Sequence, residues 1–131
     1  MELLKKYIED INKDLYLDDF NLKEVQMRLP ARKHFWVARL IEAKIKRNTL
    51  SGKKKKLKKE LVKKVLEDSP VRINQTAAET AAERYDSVVN ISNLIKDQDT
   101  IIEYLEKVEK ILSTMHWEIK NIVDINRMEQ L

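Results

Sequence analysis

The sequence has no cysteine, one glycine and two prolines in 131 residues, where about 7% glycine and 5% proline are usual. Without cysteine there is no disulfide framework and no thiolate metal site. One glycine rules out a glycine-rich phosphate loop, and the shortage of turn residues argues against hairpins and hence against a sheet. Aromatics are 6% and charged residues 37% of the chain, a balance typical of long helices and coiled coils. No apolar run approaches the ~18 residues needed to span a bilayer, and the opening Met1-Glu2-Leu3-Leu4-Lys5-Lys6 is too charged for a signal peptide. The expectation is a soluble, cytoplasmic, all-α protein with no membrane role. A chain of this length suits a single domain.

Little in it supports catalysis. His34 and His116 fall in different predicted elements, and neither has a metal-ligand partner at helical spacing. Glu103, Glu106 and Glu109 alternate with Lys107 and Lys110 in the manner of a solvated helix face. No enzyme activity, cofactor or metal is expected.

Four segments are expected. Residues 1–19 hold a short helix, with Leu4, Ile8, Ile11 and Leu15 on one face, and a break at Asp18-Asp19. A long helix over 20–68 opens on a capping box, Asn21 with Glu24, and should kink or restart at Pro30. Its seam runs Trp36, Leu40, Ala43, Leu50, Leu57, Leu61 and Val65, passing Gly52 as a soft point. Residues 69–75, including Pro70, form a linker. A last long helix occupies 76–131, beginning with a doubled Thr-Ala-Ala-Glu.

That last helix carries the cleanest periodicity. Ile91, Leu94, Gln98, Ile101, Leu105, Val108, Leu112, Met115, Ile119, Ile122 and Asn126 alternate by three and four, a heptad seam widened by Ile95, Ile102, Tyr104, Ile111 and Ile125. So wide a stripe predicts a bundle and an interface between subunits. The expected interface residues are Ile91, Leu94, Ile101, Leu105, Val108, Leu112, Met115, Trp117, Ile119 and Ile122.

Charge is distributed unevenly. Residues 1–43 are neutral, residues 66–131 carry a net −6, and residues 44–64 carry eleven basic groups against Glu60 alone. The basic groups are Lys44, Lys46, Arg47, Lys53, Lys54, Lys55, Lys56, Lys58, Lys59, Lys63 and Lys64. One carboxylate cannot neutralise them, and their mutual repulsion is a cost that a polyanion offsets. Lysine is a flexible point charge suited to the phosphate backbone rather than to base edges. Phe35 and Trp36 lie one or two turns before the block, and Trp36 falls on the apolar seam, where core packing fits better than base stacking. Subunits in a ring would multiply a weak patch through avidity.

The order of elements, the break after Lys13-Asp14-Leu15, the Trp-then-basic long helix and the closing Trp117-Glu118-Ile119-Lys120-Asn121-Ile122-Val123-Asp124 resemble the UvsY family of recombination mediators from tailed phages. The resemblance implies a ring-like homo-oligomer, hexameric or heptameric, that binds single-stranded DNA. It would help load a RecA-type recombinase onto strands covered by single-strand DNA-binding protein, in phage recombination, repair and replication in the host cytoplasm. A Leu-Lys-Ala-Arg-Leu stretch is associated with DNA contact in the family; here it is similar to Leu57-Lys58-Lys59-Glu60-Leu61, with Glu60 replacing the second basic residue. A different class of reading remains open: an oligomeric helical scaffold whose basic segment binds an acidic protein.

Overall fold

The computed structural model describes residues 1–130. Among them the chain forms four helices and no strand: α1 (Glu2–Leu15), α2 (Leu22–Asp68), α3 (Gln75–Glu83) and α4 (Asp86–Gln130). Leu131, the end of the expected last helix, lies outside the described residues. The chain packs as two compact units. The first joins Met1–Glu42 to the chain from Ile101 onward, and the second is Ala43–Thr100.

α1 buries one side chain of its apolar face completely, Ile11. The turn after it is closed by reciprocal hydrogen bonds. Phe20 and Asn21 N–H donate to Asp18 Oδ1 at 2.8 and 2.9 Å, while Asp18 N–H donates to Asn21 Oδ1 at 2.8 Å. Asn21 therefore marks the helix start as expected, but its side chain turns back to the loop instead of capping with Glu24.

α2 is 47 residues long and continues through Pro30. The proline ring is exposed, and the carbonyl deprived of its N–H partner belongs to Gln26, on an exposed turn where water can serve it. Gly52 is also helical, with no positive φ and open space where a Cβ would stand.

The expected single helix over 76–131 divides into two. α3 is capped by Asn74, whose side chain accepts from Ala77 N–H at 2.7 Å. It ends in tight i→i−3 bonds from Arg84 to Ala81 and Tyr85 to Ala82. No glycine or proline signals this break. It follows a slip in apolar phase: Ala78 and Ala82 are buried, but the next buried residue is Val88, while Tyr85, Asp86 and Val89 are exposed.

In the first unit, Ile101, Leu105, Val108, Leu112, Met115 and Ile119 of α4 are each at most 3% exposed. Ile11 of α1 and Val25, Leu29, Trp36 and Leu40 of α2 complete the core. At about 1.5–3 kcal/mol per large side chain, this stripe is the main apolar contribution to the unit. Trp36 is held at its polar edge as well. Its Nε1 donates to Asp14 Oδ2 at 2.8 Å, and the same oxygen accepts from Arg32 Nε and Nη2 at 2.9 and 2.7 Å. Tyr7 and Phe35 meet the indole edge to face, and burial pushes the Tyr7 hydroxyl pKa up.

Six of the ten expected interface residues are thus already covered within one chain. Heptad spacing reports that a helix face needs a partner, not whether that partner lies in the same chain. Of the other four, Ile91 and Ile122 are half-buried, and Leu94 and Trp117 are more than half exposed.

Candidate nucleic-acid interface

The second unit contains the basic part of α2. α3 folds back along it, with Val62 packed in a cluster with Ala78 and Ala82, and Leu61, Val65 and Ile73 around them. Two alanines on α3 leave room for close approach. This seats one side of α2 and turns the remainder of its circumference outward. With 3.6 residues per turn, Lys55, Lys59 and Lys63 fall on one face, and Lys46, Lys53, Lys56 and Lys64 on the adjoining one. All seven are exposed. Among the described residues none of the seven is engaged in an ion pair.

The other basic residues of the block are placed differently. Arg47 Nε donates to Asp99 Oδ1 of α4 at 2.9 Å. Lys58 Nζ lies 2.6 Å from Glu83 Oε1 of α3. That hydrogen bond, with the charges of Glu83 and Glu79, raises the Lys58 pKa, and the same bond, with Lys54 nearby, lowers that of Glu83. Lys54 is half-buried and Lys44 is exposed. The block therefore divides into a tethering side, Arg47 and Lys58, and an open lysine face. Glu60 is exposed within that face.

A cleft of about 470 Å³ opens between α2 and α3, with Val62 and Leu66 beside Lys55, Lys58, Lys59 and Lys63 and facing Gln75 and Glu79. Sequence reasoning missed this cleft and the carboxylate that borders it, Glu79, as well as the Glu83 partner of Lys58. The doubled Thr-Ala-Ala-Glu held the signal: Ala78 and Ala82 form one face, and Glu79 and Glu83 follow them one position on.

The expected aromatics separate as well. Trp36 is 2% exposed and belongs to the core, whereas Trp117 is 56% exposed. Lys120 Nζ lies 5.2 Å from the Trp117 ring centroid, and the His116 ring lies beside it at 4.9 Å. Other outward apolar side chains of the first unit include Phe20, Met27, Ile125 and Met128.

Among the described residues no group of three or more His, Cys, Asp or Glu side chains could hold a metal ion, and no helix is long and apolar enough to cross a membrane. No protein-family model matches the sequence, and no curated protein sequence does either. Solved structures do match. Crystal structures of the bacteriophage T4 recombination mediator protein UvsY align over most of both chains. Lattice type IV gives a TM-score of 0.82 at 16% identity, covering 96% of this chain and 98% of that one. Lattice type II gives 0.80 at 14%, covering 97% of each. Lattice type I gives 0.78 at 16%, covering 92% and 96%. The chain has the fold of the T4 mediator, reached through a sequence that retains about one residue in six.

Proposed function

We propose that this protein is a recombination mediator: it binds single-stranded DNA along α2 and helps load a RecA-type recombinase onto strands covered by single-strand DNA-binding protein. The observation that carries the reading is the open lysine face, seven exposed ammonium groups without an ion pair, on a fold shared with a phage recombination mediator. The protein acts without catalysis. Lysines hold successive phosphates and release their counterions, and several copies in one homo-oligomer, of six or seven subunits, hold and bend the strand together. A bent strand loosens the competing binding protein and is presented to the recombinase. Self-association is assigned to the outward apolar side chains around Trp117, Ile125 and Met128, since the centre of the α4 seam is occupied within the chain. The site of action is the host cytoplasm.

Titration of single- and double-stranded oligonucleotides across a salt series tests the site. The log affinity for single strands should fall with log salt by about 0.7 per phosphate neutralised. Absence of binding at low salt, or binding indifferent to salt, overturns the reading. Mediator action is tested by recombinase assembly on strands already coated with single-strand binding protein, which should be faster in the presence of this protein.

A further inference from the structure

The cleft beside the lysine face has a lining of two kinds: Lys55, Lys58, Lys59 and Lys63 attract phosphates, and the rest of the lining does not. Val62 and Leu66 are its apolar lining on α2, and Glu79 lines it from α3. A phosphate moved there would lose water against hydrocarbon and meet a like charge. An object with apolar faces and a polar edge meets neither obstacle. At about 470 Å³ the cleft also lies within the usual range of small-molecule sites, about 300–1,000 Å³.

We propose that the cleft receives one unstacked nucleobase of a single strand, while Lys55, Lys59 and Lys63 hold the phosphates on either side of it. The inference rests on reading α2 as a single-strand site and adds to it a discriminating element. The three lysines are four residues apart, a rise of about 6 Å per step, so each reaches its own phosphate. In a duplex the bases are paired and stacked inside the two backbones, and none can enter a cleft beside them. In a single strand a base can turn toward the protein at little cost. Leu66 and Val62 cover its face. Gln75 Nε2 lies 3.5 Å from Glu79 Oε1, and together they offer an amide and a carboxylate to the base edge. A carboxylate accepts well from the exocyclic amino group of cytosine, so cytosine is favoured over thymine, which has no such donor.

The test compares the full-length protein on two strands of equal length at one salt concentration: oligo-dC and the same sugar-phosphate chain without bases. The base-free strand should bind about fivefold more weakly, the lower end of the range for a stacked base, with the same salt slope. Leu66→Ser should lower oligo-dC affinity to the base-free level and leave base-free affinity unchanged. Gln75→Trp, which fills the cleft, should do the same, so a folding defect in one variant does not decide the matter. Glu79→Gln should abolish the preference of dC over dT. Equal affinity of the unaltered protein for the two strands overturns the cleft proposal and leaves the phosphate site standing. Failure of both strands to bind at low salt overturns the single-strand site and the cleft with it.

Discussion

Lys58 Nζ stands 2.6 Å from Glu83 Oε1, so one lysine of the basic helix is already occupied by a carboxylate of the same chain. A phosphate must compete with Glu83 for Lys58, and it need not compete for Lys59 or Lys63.

Replacing Glu83 with Gln should therefore strengthen single-strand binding at low salt, roughly twofold to fivefold, and steepen the salt slope by up to about 0.7 as Lys58 joins the contact. Titration across salt reads both quantities. Acid should have a similar effect on the unaltered protein. Glu83 is held below the usual carboxylate pKa, so its contribution to docking α3 is present above that range and lost as pH falls through its depressed value. Lys58 is raised, so its share is present through neutral pH and lost only as pH rises through the elevated lysine value.

The triple change of Lys55, Lys59 and Lys63 to Ala should flatten the salt slope by about 2, at 0.7 per phosphate lost. Circular dichroism should show the helices retained, since all three side chains are exposed. An unchanged slope would place the strand elsewhere.

Gly52→Ala should stabilise the protein by about 0.5–1 kcal/mol, because the helical backbone accepts a Cβ and nothing lies within 4 Å of it. Thermal melting should rise by a few degrees, with DNA affinity unchanged.

Leu112→Ala should cost about 2–5 kcal/mol, since Leu112 is 1% exposed within its own chain. Trp117→Ala, at a position 56% exposed in the single chain, should cost less than about 1 kcal/mol at low protein concentration and more where subunits associate. Urea melts at two protein concentrations separate burial within the chain from burial between chains. The Leu112→Ala loss should be the same at both.

Asp14→Ala should cost about 2–3 kcal/mol, because it leaves the buried Trp36 Nε1–H without an acceptor and unpairs Arg32. Asp14→Asn, which keeps an acceptor for the indole, should cost less in the same denaturant melts.

The helical class, the position of the long basic helix and the sign of its field were legible in the sequence because periodicity and charge are local properties. So was the core role of Trp36, which falls on a helical face with Leu40. What the sequence hid was partnership. The spacing of Leu105, Val108 and Leu112 is the same whether the facing helix belongs to the same chain or another. Eleven basic residues within 44–64 gave no sign that Arg47 would meet Asp99 or Lys58 would meet Glu83, across 52 and 25 residues of chain. Pro30 does not end the helix, because the hydrogen bond it removes belongs to an exposed turn where water makes that loss tolerable. The end of α3 was hidden because a tertiary packing change, not a turn residue, produces it.

Nine residues are too few to hold a helix in water unaided, so α3 owes its form to the Ala78 and Ala82 contact with α2. Two alanines bury little hydrocarbon. The amides of Gln75–Glu83 should therefore exchange with deuterium through a local opening far cheaper than global unfolding, well ahead of those around Leu105 and Leu112. Any strand whose base sits between α2 and α3 would slow that exchange, so this short helix is a built-in reporter of occupancy.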